Sequence, residues 1–183
     1  GLSVAEIKST LELALERTKK ISISEEEKEK IKQQETLQKV NGLFHRYREG
    51  RLSLNEILRD VERMDEKTGA LSKEILLSQW IDALSLNDDI ERILKGIEAL
   101  KERDINEVKQ KFSHLLFQYR KEREKIKQEV RTQLEEALRR EGIYGSAVVP
   151  NIEQSEIWKK ESEKLEHSYR MKLEEIKDQL RSL

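Results

Sequence analysis

The residues of this chain best suited to hold a metal or carry a proton near neutral pH are three histidines, His45, His114 and His167. They lie far apart, and none stands in a Glu-x-x-His or His-Glu-x-x-His pattern. Ligands one helical turn apart are what a di-iron bundle or a zinc-protease helix requires, so each histidine reads as a helix-face residue. The chain has no cysteine, which removes disulfides, thiolate nucleophiles and zinc–cysteine sites. Calcium fares no better. Gly50, Leu52, Ser53 and Glu56 fall where the second half of an EF-hand loop would place them, but the first half offers His45 and Tyr47 as ligands, with only Glu49 carrying a carboxylate. The stretch "DEKTGALSKEIL" at 65–76 is an equally broken echo. No metal and no cofactor is expected. No hydroxyl nucleophile has an evident base, and no glycine loop has phosphate spacing. No residue is therefore assigned a catalytic role, and the chain reads as a non-enzyme.

Two constellations could bind a partner. Arg46, Tyr47, Arg48 and Arg51 gather positive charge around an aromatic ring, the combination that contacts phosphates. Residues 120–131, "RKEREKIKQEVR", add six basic and three acidic residues, a net charge of +3. Glutamates interleave at spacings that pair charges along a solvated helix face. The segment "SKEILLSQWIDAL" has no basic face with which to read a major groove. Nucleic-acid binding therefore stands as the alternative reading.

The second constellation is "REGIYGSAVVPNIEQ", residues 140–154, which holds two glycines, the chain's only proline and the apolar run Ala147, Val148 and Val149. Gly142 can end a helix in the left-handed conformation, and Gly145-Ser146 supplies a turn. Pro150 keeps Val149 extended, and Asn151 can cap the last helix. An anion-binding loop would need phosphate-loop spacing and a lysine after the glycines; here Glu153 and Glu156 sit where the anion would. The stretch reads as the connector of a helical hairpin, with Ala147, Val148 and Val149 as a partner-binding tip. A swap hinge between two copies is the other geometry open to it.

The elements that carry these residues are all helical. Ser3 with Glu6, Ser24 with Glu27, and Ser53 with Glu56 have capping-box spacing. Val4, Ile7, Leu11, Ala14, Thr18 and Ile21 form one stripe, and a second helix becomes amphipathic at Leu37, Val40, Phe44 and Tyr47. Three short helices come next: Ile57 to Met64, stopped by Gly69; Leu71 to Leu84 around Trp80; and Ile90 to Leu100, capped by Ser85 or Asn87. Whether the third runs on past Asp104 is open, since Asp104 with Glu107 also has capping spacing. A long helix then carries Val108, Phe112, Leu115, Tyr119, Ile126, Val130, Leu134 and Leu138. The last carries Trp158, Leu165, Tyr169, Leu173, Ile176, Leu180 and Leu183. Antiparallel pairing should set Trp158 beside Val130 or Leu134.

The expected fold is all-α, an elongated bundle with a compact short-helix region and a long, coiled-coil-like C-terminal hairpin. Its parts are residues 1–51, 52–103 and 104–183, with the tip loop at 142–151. Charged residues make up 40% of the chain, against roughly 25% in ordinary domains, which suits long helices with thin apolar seams. The 36 basic residues almost cancel the 37 acidic ones, so the whole-molecule field neither draws nor repels nucleic acid strongly. No apolar run approaches the roughly 20 residues of a membrane span, and the start lacks a signal-peptide layout. These features point to a cytoplasmic, non-enzymatic helical interaction or assembly module. Its expected partner is itself or another helical protein, most simply as a homo-oligomer, with no membrane involved.

Overall fold

A computed structural model describes residues 4–21, 24–87, 90–145 and 149–183. They form seven α-helices: α1 (Val4–Ile21), α2 (Glu25–Arg48), α3 (Leu54–Glu62), α4 (Glu66–Ala83), α5 (Glu91–Lys101), α6 (Asn106–Arg140) and α7 (Glu156–Ser182). A 3-10 turn at Ile152–Gln154 precedes α7. The fold is all-α, with no strand among the described residues. Two compact units divide the chain, 1–75 and 76–183, and their junction lies inside α4. The boundaries expected at 51/52 and 103/104 fall at helix ends; the observed junction runs through a helix.

In the first unit, serines set the helix starts. Ser24 Oγ accepts the Glu27 backbone N–H at 3.1 Å, and Glu25, Glu26 and Glu27 fill the first turn of α2, where the helix dipole favours negative charge. The capping box of α3 is complete: Ser53 Oγ accepts from the Glu56 N–H at 3.2 Å, and the Ser53 N–H donates to Glu56 Oε2 at 2.8 Å. The capping pair at Ser3 lies outside the described residues. Burial on α2 falls on Thr36, Val40, Leu43, Phe44 and Tyr47. Leu37, expected to open this stripe, is instead exposed. Thr36 takes its place because its hydroxyl donates to the Lys32 carbonyl at 2.8 Å and so enters the core already satisfied.

Gly69 does not stop a helix, contrary to the expectation from sequence; it lies within α4. The start of α4 is fixed by Asp65, whose carboxylate accepts both the backbone N–H and the hydroxyl of Thr68 at 2.8 Å. Those bonds, with Lys32 nearby, hold the Asp65 carboxyl below the ordinary aspartate range. Gly69 instead allows close packing, since a Cβ there would lie 3.2 Å from the Val61 carbonyl oxygen.

The second unit is built on Trp80 and on the α6–α7 pair. Trp80 is fully buried and lies flat on Gly96 of α5, where an added Cβ would meet the ring at 2.8 Å. Leu84, Ile93, Ile97 and Leu100 are buried as expected, and Ile81 and Leu86 join them. Neither Ser85 nor Asn87 caps α5: Ile90 is its N-cap residue and makes no side-chain bond. The chain breaks after α5 at Glu102, in the left-handed conformation with φ of 50°, so α5 and α6 are separate helices. Asp104 accepts the Asn106 N–H at 2.8 Å, taking a neighbour of its expected partner Glu107.

Contacts between α6 and α7 run in opposite order along the two helices. Lys111 Nζ donates to Gln179 at 3.2 Å, the Tyr119 and Tyr169 rings lie 5.4 Å apart, and Arg123 stacks 5.2 Å above Trp158. The hairpin is therefore antiparallel, and Trp158 packs with Val130 and Ile152, with Ile126 and Leu134 against them. The cap of α7 is Ser155 and not Asn151: its hydroxyl accepts the Trp158 N–H at 3.2 Å and donates to the Ile152 carbonyl at 2.7 Å. At the other end of α7, the buried Lys177 donates to the Asp82 carbonyl at 3.0 Å, placing a cation on the negative end of α4.

Candidate interaction surfaces

The hairpin tip is shaped by the way α6 ends. The Gly142 N–H donates to the Arg139 carbonyl and the Ile143 N–H to the Leu138 carbonyl, both at 3.0 Å, with Gly142 at φ 78°. This is a Schellman turn, which brings the residue after the glycine onto the last turn of the helix. Ile143 and Leu138 accordingly both line a cavity of about 530 Å³ at the tip, with Tyr144, Val149 and Arg131. Val149 is 76% exposed, while Ala147 and Val148 lie outside the described residues. Sequence reasoning passed over Tyr144, exposed to the same degree, and Ile143. The signal was present: two large apolar residues directly succeed a helix-ending glycine. Beneath the tip, the Val130, Ile152 and Trp158 cluster fixes the base of the loop.

A second apolar surface lies on α1. Residues 9–17 are all exposed, and Leu11, Leu13 and Leu15 keep 59%, 54% and 59% of their surface in solvent. Leu11 and Leu15 are one turn apart on the same face.

The basic–aromatic cluster splits, with Arg46, Arg48 and Arg51 exposed and Tyr47 in the core. Tyr47 is buried, leaving no ring face for a base to stack on. Arg46 Nε donates to the Gly42 carbonyl at 3.2 Å, the Arg48 guanidinium lies 5.7 Å over the Phe44 ring, and Arg51 is ion-paired with Glu49. The three arginines are close together for a backbone reason. Gly50 ends α2 in another Schellman turn, and the Arg51 N–H donates to the Arg46 carbonyl at 2.9 Å. His45, His114 and His167 are all exposed. Among the described residues no three His, Cys, Asp or Glu side chains converge as metal ligands would, and no described helix is long and apolar enough to cross a membrane.

A family model described as a family of unknown function, DUF6657, matches residues 82–182, just over half of the chain. The chain belongs to this family. No curated protein and no solved structure matches it. The DUF6657 segment opens at Asp82, the residue whose carbonyl Lys177 holds and whose carboxylate Arg181 binds at 2.9 Å. Its two ends are thus tied together in the fold. The segment contains α5, the α6–α7 hairpin and the tip, while α1 and the Arg46–Arg51 cluster fall outside it.

Proposed function

We propose that this chain is a non-enzymatic, cytoplasmic interaction module that pairs with a second copy of itself through an exposed apolar helix face. The observation that carries the reading is α1. A helix in a protein draws most of its stability from packing an apolar face, yet the central leucines of α1, an 18-residue helix, lie open to solvent. Burying a leucine contributes about 1.5–3 kcal/mol. A partner helix laid along Leu11 and Leu15 would therefore both stabilise α1 and remove its apolar face from water. The exposed Tyr144 and Val149 at the hairpin tip are a second contact of the same kind.

Light scattering of the purified chain across a salt series tests the reading. Apolar pairing predicts an oligomer that persists at moderate salt, and the double variant Leu11→Glu, Leu15→Glu predicts a monomer with the rest of the helical signal retained. Identical scattering from the wild type and the double variant would overturn the proposal. The alternative, a weak nucleic-acid or regulatory binder using Arg46, Tyr47, Arg48, Arg51 and the 120–131 face, predicts nucleic-acid affinity that falls steeply over the same series.

A further inference from the structure

We draw no further inference here: the strongest candidate, the cavity of about 530 Å³ at the hairpin tip, is lined by Arg131 and Arg139 with Glu135 one turn from each, so its charges select no ligand, and its apolar wall of Tyr144 and Val149 belongs to the tip contact already proposed.

Discussion

Gly96 and Trp80 show how single residues decide the packing of the second unit. With a Cβ 2.8 Å from the indole ring, an alanine at 96 cannot be accommodated without moving Trp80 or α5. Gly96→Ala should therefore destabilise the chain by about 1–3 kcal/mol, although alanine is the better helix former. Trp80→Ala should cost about 3–5 kcal/mol. Urea melts monitored by circular dichroism check both, and a Gly96→Ala variant as stable as the wild type would mean that the two helices are not in contact there. The burial of Trp80 was legible from its place on an apolar stripe. The need for glycine at 96 was not, because nothing in a helical pattern names the residue that will cross it. Thr36 and Leu37 teach the same lesson. A stripe drawn by hydrophobicity chooses the leucine, while the fold buries the threonine, whose hydroxyl finds an acceptor in its own helix.

At the scale of elements, the α6–α7 seam carries its own pH response. Tyr169 is buried and its hydroxyl hydrogen-bonds Glu122, which together push its pKa up to about 12. Tyr119, stacked against it, is raised as well, chiefly by burial and then by Glu166. Between about pH 10, where an unfolded tyrosine titrates, and about 12, the unfolded chain gives up protons that the hairpin keeps. Stability is then fully present below pH 10 and is lost as the pH rises through that window. Tyr169→Phe should lose less of its urea midpoint than the wild type between pH 9 and pH 11; equal losses would show that the seam holds no such proton. Helix starts were legible at Ser24 and Ser53, each three residues before a glutamate. They were misread where two caps compete. Asn151 precedes the 3-10 turn at Ile152–Gln154, and Ser155, four residues nearer the helix, takes the cap. Gly69 was misread for a related reason: glycine breaks a helix in isolation, but an aspartate cap four residues earlier overrides it.

At the scale of the whole molecule, two independent divisions of the chain nearly coincide. Compactness places a boundary at 75/76, and the DUF6657 match begins at residue 82 and ends at 182. The sequence alone located the hairpin but not this boundary, because a unit that begins midway along a helix leaves no turn or cap to mark it. Of the tip, sequence reasoning found Val149 through its contrast with the charged helices on either side. It passed over Tyr144, which is as exposed as Val149.

The near-coincidence predicts that the second unit folds by itself, provided that its first helix is kept whole. A fragment of residues 65–183 retains Asp65, whose carboxylate starts α4, together with Leu76, Trp80, Ile81 and Leu84, all fully or almost fully buried. It also keeps the grip of Lys177 and Arg181 on Asp82. That fragment should melt cooperatively and show the tryptophan burial of the full chain. A fragment cut at the family boundary, 82–183, loses Trp80 and leaves the face of Gly96 and Ile97 without its cover. Its melt should be broad or shifted well below that of the longer piece, since removing a buried tryptophan alone costs about 3–5 kcal/mol from a total of about 5–15 kcal/mol. If 65–183 melts without cooperativity while the full chain does not, the second unit depends on the first, and the boundary inside α4 has no thermodynamic meaning. If 82–183 melts as sharply as 65–183, the end of α4 is an accessory, and the hairpin with α5 is the true folding unit.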